Sequence, residues 1–374
     1  MARPKAKLPA YRAQPLLFRE PNGLRPGVGT KRRLWIVFGI VAACAAVTFA
    51  LYRWRTSGFS WRVFADSLRN VDWNWLALAL ALILATYVGR ALRWEVMLRP
   101  LSKHASFLRV LSATCIGFTA VVLFGRAGEP VRPYLIARNE GVSFSSQIAA
   151  WVVERILDLL MILVIFGVAL TQVSHSSIQS SPRVGVILQT GGAAAGITGL
   201  ICLVLLVGLR QFHGRVQQRL LEAVSFLPPP MLARVETFFA AFGEGMQSTR
   251  SLAFTFLLVG YTIIEWVVIA GCFYSVFRAF PATSHLDFTD IVIVLGFVSF
   301  GSVLQIPGVG GGMQIVTILV LTQFYGVSLE AASGVALTLW LISFVAIVPV
   351  GLGLAFREGI KWRSLKHIDS GSGP

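Results

Sequence analysis

Charged side chains crowd into one short stretch of a chain that is otherwise strongly apolar. Residues 124–143 read FGRAGEPVRPYLIARNEGVS, and their charged members are Arg126, Glu129, Arg132, Arg138 and Glu140. Arginine binds phosphate through charge-assisted, often bidentate hydrogen bonds. The stretch therefore indicates a phosphate site, in which Arg126 and Arg132 contact the phosphate and Glu129 holds both guanidinium groups in place.

Further polar candidates lie in two later apolar segments and in a glycine-rich stretch. Glu154, Arg155 and Asp158 follow one another in the first segment, and the i,i+3 spacing allows Arg155 and Asp158 to pair on a helix. Glu265 lies deep in the second segment, near the middle of a predicted membrane span. The stretch PGVGGGMQ offers open backbone N–H groups to an anion, and its candidates are Gly310, Gly311, Gly312 and Gln314.

Six of these charges lie within or beside apolar segments: Arg126, Glu129, Arg132, Glu154, Arg155 and Asp158. At about 3 kcal/mol for each charge facing lipid, six would cost on the order of 18 kcal/mol, more than the net stability of a fold. They must therefore face one another or a wet cavity. One reading is a net-basic cavity for an anionic headgroup, and the other is an ion-pair network that only holds helices together.

Composition explains why such a cavity would be embedded in apolar helices. Of 374 residues, 55% are hydrophobic and 13% are charged, against about 25% charged in an ordinary soluble domain. The predicted fold is an all-α polytopic membrane protein, with about 20 apolar residues in each span. Full spans are expected at 34–52, 74–97, 147–173, 184–209, 252–277 and 333–356.

The distribution of charge predicts three regions and an orientation. Residues 1–33 are rich in Lys, Arg and Pro and predict a disordered basic tail, and 357–374 form a second, short basic tail. With the N-terminus inside, the spans place most Lys and Arg on the cytoplasmic side, in residues 1–33, 90–109, 210–250 and 357–374, so both termini are expected in the cytoplasm. The net charge of +16 then reflects membrane topology and anionic lipids, and nucleic acid is not an expected partner. WRVFADSLRNVDW, within 53–73, predicts an amphipathic helix on the outer surface.

Two interrupted segments, 107–140 and 289–326, are predicted to form re-entrant helical hairpins. Shifting the chain by 185 residues places Glu129 on Gln314 and brings Gly-Val-Ser at 141–143 onto Gly-Val-Ser at 326–328. Three predicted spans separate the copies, so the domain at 34–356 is expected to contain an inverted repeat, around 107–173 and 289–356. The alternative is that both hairpins are tightly turned pairs of full spans.

Other chemistry has little support in the sequence. The cysteines and histidines are scattered singly, which gives no metal-ligand spacing and no disulfide framework. The chain also lacks a GxxxxGK[ST] nucleotide loop. We therefore expect no cofactor and no metal.

Four motifs carry a resemblance to a known family: RALRWEVMLRPL (90–101), GRAGEPVRPYLIAR (125–138), VVERILDLL (152–160) and PGVGGGMQ (307–314). In order and spacing they resemble the lysylphosphatidylglycerol synthase transmembrane-region family of flippase-like membrane proteins, over roughly 34–356. Members often carry Glu where this chain has Gln314. In the full synthases a soluble aminoacyltransferase domain follows the membrane region; here 18 residues follow 356, so the resemblance implies a stand-alone lipid translocator or transport accessory.

The resulting hypotheses belong to three classes. The first is a non-enzymatic flippase or scramblase of the bacterial inner membrane, whose substrate is an anionic phospholipid, a polyprenyl phosphate or a hopanoid-type lipid. The second is an accessory or scaffold for an envelope-biosynthesis enzyme. The third is an intramembrane enzyme that uses Glu154 or Glu265 as an acid or base, and it ranks last because no nucleophile–base pair accompanies them.

Overall fold

The computed structural model describes residues 58–102, 105–175, 252–302, 305–306 and 310–359, with short helical pieces between 190 and 241. Its helices are α1 (Trp61–Arg69), α2 (Trp73–Leu98), α3 (Phe107–Phe124), α4 (Val131–Glu140), α5 (Phe144–His175), α6 (Leu252–Ala279), α7 (Phe288–Gly301), α8 (Gly312–Phe324), α9 (Leu329–Trp340) and α10 (Ile347–Arg357). The predicted tail 1–33, the span at 34–52, most of the span at 184–209 and the last residues of the tail 357–374 lie outside the described residues.

The predicted spans reappear as long apolar helices. Within the described residues, four helical runs are long and apolar enough to cross a membrane: Trp73–Leu98, Phe107–Gly128, Ala253–Ala279 and Leu329–Arg357. Three of them correspond to the spans predicted at 74–97, 252–277 and 333–356, and Phe107–Gly128 lies in the segment predicted as the first hairpin. The 32 residues of α5 cover the span predicted at 147–173.

Polar residues just before the helices fix where they begin. Asp72 accepts a hydrogen bond from the Asn74 N–H at 2.9 Å at the start of α2, and Asp287 accepts one from the Asp290 N–H at 2.9 Å at the start of α7. These side chains satisfy backbone donors that the first helical turn leaves unpaired. The same reasoning applies to α1, which begins after Ser60 and has no buried residue, as expected of the amphipathic helix predicted within 53–73.

Residues 107–140 form a helical hairpin in which a 3-10 turn, Gly125–Gly128, joins α3 to α4. The arms approach closely because Gly117 has no side chain: a Cβ atom there would clash with the backbone and Cβ of Arg132. Glu140 closes the open end by accepting hydrogen bonds from the Arg109 guanidinium at 2.8 and 3.1 Å. Because Phe107–Gly128 is itself long enough to cross, the depth of this hairpin remains a prediction.

Residues 288–324 form a second hairpin with shorter arms. Helices α7 and α8 have 14 and 13 residues, or about 20 Å each at 1.5 Å per residue, less than the roughly 30 Å of a hydrocarbon core. Between them, β1 (Gln305–Ile306) and β2 (Gly310–Gly311) pair antiparallel, which adds a small ladder to the predicted all-α fold. Gly311 has φ 138°, a conformation that favours glycine.

The helices pair in a matched pattern. The spans that precede the two hairpins, α2 and α6, pack against each other; α3 of the first hairpin packs on α10, and α7 of the second packs on α5. Glycines mark both crossings, since a Cβ at Gly351 would clash with Thr119 and one at Gly296 would press on Ala169. β1 contacts the Gly125–Gly128 turn, so the tips of the two hairpins meet.

The last long helical run is interrupted in its middle. Helices α9 and α10 are joined by a π-helical segment, Leu341–Val345, which packs against α2 and α3. The N-terminal end of the run contacts the start of α1, where the Ser60 N–H donates to Glu330 Oε1 at 2.9 Å. This run therefore connects the surface helix α1 with the first hairpin.

Candidate functional site

Seven charged side chains come together where α2, α4, α5 and α6 meet. They are Arg90 and Arg93 of α2, Arg132 of α4, Glu154, Arg155 and Asp158 of α5, and Glu265 of α6. We call this group the charged cluster. Four of its members were predicted to lie close together, namely Arg132, Glu154, Arg155 and Asp158, and the structure also brings Glu265 to them.

Arg93 is the centre of the charged cluster and has no exposed surface. Its Nη2 lies 2.5 Å from Glu154 Oε1, and its Nη1 donates to Asp158 Oδ1 at 2.9 Å and to Thr262 Oγ1 at 3.0 Å. Glu265 Oε2 lies 3.4 Å from the same Nη1. One guanidinium therefore ties α2 to both α5 and α6.

Arg132 is held by an acid and an aromatic ring. Its Nη1 donates to both oxygens of Glu154, at 3.1 and 3.0 Å, and its guanidinium lies over the Trp94 ring, 4.0 Å from the centroid. Trp94 is itself fixed, because its Nε1–H donates to Gln147 Oε1 at 3.0 Å. The planar arginine group suits this combination of stacking and hydrogen bonding.

The prediction that Glu129 holds Arg132 is therefore wrong. Arg132 lies in the first turn of α4 and faces α2 and α5, where Glu154 receives it. Glu129 instead pairs with Arg126 at 3.1 Å, as predicted for that residue. The Arg126 side chain is 60% exposed, whereas Arg132 is buried, so the two arginines predicted to contact phosphate occupy different environments.

Arg155 forms the accessible edge of the charged cluster. It pairs with Asp158 at 3.0 Å, as its i,i+3 spacing predicts, and it lies 3.7 Å from Glu154. Its side chain is 36% exposed, while the side chain of Glu154 is completely buried. The Glu129 carboxylate acts electrostatically on the Arg155 guanidinium, but less than Asp158 and Glu154 do.

Arg90 and Glu265 form the remaining ion pair. Arg90 Nη2 lies 2.6 Å from Glu265 Oε1, and the Arg90 guanidinium lies over the Phe118 ring at 4.7 Å. Neither oxygen of Glu265 accepts a well-directed hydrogen bond from the described part of the chain. Glu154 and Asp158 both accept such bonds from Arg93, so Glu265 is held differently from its two neighbours.

The glycine-rich stretch is less open than predicted. The Gly311 N–H donates to Gln314 Oε1 at 2.7 Å, so it is not available to an anion. Gly310 and Gly311 form β2, and Gly312 begins α8. These residues lie at the tip of the second hairpin, whose β1 strand contacts the turn that contains Arg126, and they are not part of the charged cluster.

Sequence reasoning missed Arg90, Arg93 and Trp94. It counted the two arginines as charges of a loop at 90–109, but residues 90–98 are the last turns of α2, and Arg93 is fully buried there. A signal was available, because two arginines at i,i+3 within a predicted span require acidic partners, and Glu265 lay in another span. With Arg90 and Arg93 inside the protein, the charge asymmetry used for orientation is smaller by two positive charges.

The charges of the cluster favour an anion over a cation. Among the described residues it contains four guanidinium groups and three carboxylates, a surplus of one positive charge when all are ionised. Every carboxylate already lies beside a guanidinium, which leaves the acids poorly suited to bind a metal ion. An added phosphate would neutralise the surplus.

One comparison with known proteins gave a match. The family model for the lysylphosphatidylglycerol synthase TM region matches residues 34–351, which contain the charged cluster and both hairpins. Searches of curated proteins and of solved structures gave no match. The matched region covers most of the chain, which therefore belongs to the lysylphosphatidylglycerol synthase TM region family and is a membrane protein of lipid metabolism or translocation.

Proposed function

We propose that this chain is a lipid translocase of the flippase or scramblase type, which moves an anionic or isoprenoid-type lipid across or out of the bacterial inner membrane. The observation that carries the proposal is a buried, net-positive charged cluster whose edge is accessible at Arg155, in a chain that also exposes Arg126 at the tip of the first hairpin. A phosphate headgroup is attracted to this edge. A headgroup with a net positive charge is repelled by it, so anionic phospholipids and polyprenyl phosphates are the favoured substrates.

The arginines divide into two roles under this proposal. Arg93 and Arg132 are buried and hydrogen-bonded to Glu154, so they hold the helices together. Arg155 and Arg126 retain exposed surface and contact the headgroup. Under this proposal, Arg93 and Arg132 belong to an ion-pair network, and Arg155 and Arg126 belong to a binding site.

The matched helix pairings support an inverted repeat around 107–173 and 289–356. Exchanging the two halves maps the α2–α6 pair onto itself and the α3–α10 pair onto the α7–α5 pair. The junction of the hairpin tips offers a headgroup a polar route, while the lipid tails stay in the hydrocarbon. In this proposal, both hairpins are re-entrant.

The two ends of the bundle differ in charge, which supports the proposed orientation with both termini in the cytoplasm. One end holds Arg99, Arg109, Arg138 and Arg357; the Ser106 N–H donates to Glu140 and the Ser112 hydroxyl donates to Glu358, which brings its elements together. At the other end, where the Asp72 N–H donates to the Ala279 carbonyl, three arginines (Arg62, Arg69 and Arg278) are outnumbered by five acids, Asp66, Asp72, Asp287, Asp290 and Glu330. Basic residues are enriched on the cytoplasmic side of membrane proteins, so the first end faces the cytoplasm.

A proteoliposome experiment tests the proposal. Vesicles with and without the purified chain receive fluorescent phosphatidylglycerol, phosphatidylcholine or a polyprenyl phosphate analogue, and an impermeant quencher reports how much lipid has crossed. We expect the chain to accelerate crossing of the phosphate-anionic lipids. Arg155→Gln and Arg126→Gln should each slow it about tenfold, the value of one charge-assisted hydrogen bond.

Arg69→Gln is the matched control, because Arg69 lies on α1 with an 80% exposed side chain. Vesicles with this variant should show the same rate of lipid crossing as vesicles with the unaltered chain. If correctly folded protein accelerates none of the three lipids, the translocase proposal is wrong. Association with an envelope enzyme that persists in Arg126→Gln would then favour the accessory role.

A further inference from the structure

We propose that Glu265 is a proton-binding site coupled to the headgroup: an anionic headgroup displaces Glu265 from Arg90, and Glu265 takes up a proton from water in exchange. This inference rests on the proposed lipid-binding function and adds the energy source for it. The driving ion would be the proton, which enters together with the lipid anion.

The first observation is the way in which the three acids of the charged cluster are held. Glu154 accepts hydrogen bonds from Arg93 and Arg132, and Asp158 accepts one from Arg93 at 2.9 Å. Glu265 is almost completely buried, at 3% exposure, yet neither of its oxygens accepts a well-directed hydrogen bond within the described residues. Of the described residues, Arg90 and Arg93 are the ones whose charges pair with it.

The second observation is that Arg90, unlike Arg93, can leave Glu265 and pair with an incoming phosphate. Arg93 is fully buried and already engaged by Glu154, Asp158 and Thr262. The Arg90 side chain keeps 15% of its surface exposed and lies over the Phe118 ring. An incoming phosphate oxygen can therefore reach Arg90 but not Arg93.

Among the described residues, loss of Arg90 leaves the buried Glu265 carboxylate with one ion-pair partner, Arg93, which it shares with other groups. Arg93 Nη1 is 3.4 Å away and is shared with Asp158 and Thr262. A buried charge that loses its partner costs several kcal/mol, and binding a proton at either oxygen removes that cost. The lipid brings one negative charge and the proton brings one positive charge, so the total charge of the occupied cluster is unchanged.

The groups that face Glu265 come from two helices. Burial opposes the ionised form of Glu265 most strongly; Arg90 and Arg93 of α2 favour that form, whereas Asp158 and Glu154 of α5 oppose it. Helices α7 and α9 also pack against α6, but their acids Asp290 and Glu330 lie in their first turns, at the end of the bundle. The charged groups that decide between the ionised and the protonated form of Glu265 therefore lie within the charged cluster, where a bound headgroup acts on them directly.

Proton uptake can be measured without any transport. The purified full chain in detergent is titrated with dihexanoylphosphatidylglycerol by calorimetry, in two buffers that differ in ionisation enthalpy at the same pH. We expect uptake of about one proton for each lipid bound, from the difference between the two binding enthalpies. Glu265→Gln should bind the lipid without uptake, and Asp66→Asn on the exposed face of α1 should behave like the unaltered chain.

The results separate this inference from the translocase proposal. Absence of lipid binding, binding without proton uptake, or unchanged uptake in Glu265→Gln would each overturn it. If Glu265→Gln does not fold, proton uptake is compared between the unaltered chain and Glu265→Asp. Because Glu265→Asp retains a carboxylate, both should take up a proton when lipid binds, and absence of uptake in both would overturn the inference. If lipid crosses the membrane but binding takes up no proton, the translocase proposal holds and the proton coupling is wrong. If lipid binding takes up a proton but no lipid crosses, the proton site holds and the translocase proposal is wrong.

Discussion

Arg93 Nη2 lies 2.5 Å from Glu154 Oε1, and neither side chain exposes any surface. A buried ion pair is stable only when both charges are well paired and their other donors and acceptors are occupied. Both terminal nitrogens of Arg93 are occupied, since Nη1 also donates to Asp158 and Thr262, and Glu154 is further held by Arg132. Within the described residues, the buried Arg93 Nε is the donor of this guanidinium that lacks a partner. The pair therefore joins α2, α5 and α6 into one unit, and α4 is attached to it through Arg132.

Removing the charge of Arg93 should destabilise the protein strongly. In Arg93→Met, Glu154 and Asp158 lose their central partner within the interior, and we expect a loss of about 3–5 kcal/mol. Thermal unfolding of the purified chain in a single detergent measures it. Arg69→Met, at an exposed arginine, should unfold like the unaltered protein, and equal melting temperatures for the two variants would contradict the central role of Arg93.

Arg132 should not be replaceable by lysine. Lysine keeps the charge but cannot stack a planar group on Trp94 while donating to both oxygens of Glu154, so we expect Arg132→Lys to cost about 1–2 kcal/mol. Arg109→Lys is the matched comparison, because Arg109 also pairs with a glutamate but is 51% exposed. A smaller loss in Arg132→Lys than in Arg109→Lys, measured by thermal unfolding, would show that the Trp94 contact contributes little.

Much of the fold could be predicted from the sequence because bilayer thickness sets the length of each span. Helices α2 and α6 follow their predicted spans to within two residues, and both interrupted segments form hairpins. The tilt and depth of each hairpin could not be predicted, since they depend on packing against distant helices. The crossing of α3 with α10 at Gly351 is one such contact, because the two helices are far apart in the sequence.

The site was predicted in part, for a related physical reason. Charges within a few residues on one helix could be paired by spacing, as with Arg155 and Asp158. Pairs between helices depend on register: Arg132 meets Glu154 instead of Glu129, and Arg90 meets Glu265 across 175 positions of sequence. The arginines of α2 were assigned to a loop because charge marks both the end of a span and a buried polar site.

Close approach of the hairpin arms should make Gly117 intolerant of a side chain. A Cβ there clashes with Arg132 Cα and Cβ, so Gly117→Ala must displace α4 from α3 and should cost about 1–3 kcal/mol. Gly89→Ala is the control, since a methyl group at Gly89 would meet no atom of another element within 4 Å and alanine favours a helix. Thermal unfolding should show a loss for the first variant and none for the second; a neutral Gly117→Ala would mean that α4 can move without cost.

At the tip of the second hairpin, stability should depend on an acceptor oxygen at position 314 more than on whether that side chain is neutral or charged. It accepts the Gly311 N–H at 2.7 Å, at the start of α8, where a carboxylate oxygen would accept the same bond and also suit the positive end of the helix. Gln314→Glu should therefore keep the stability of the unaltered chain or slightly exceed it, whereas Gln314→Ala should lose about 1 kcal/mol. Thermal unfolding and amide exchange of residues 310–316 report both variants. Faster exchange in Gln314→Glu than in Gln314→Ala would contradict this account, because it would mean that the added charge, and not the missing acceptor, disrupts the turn.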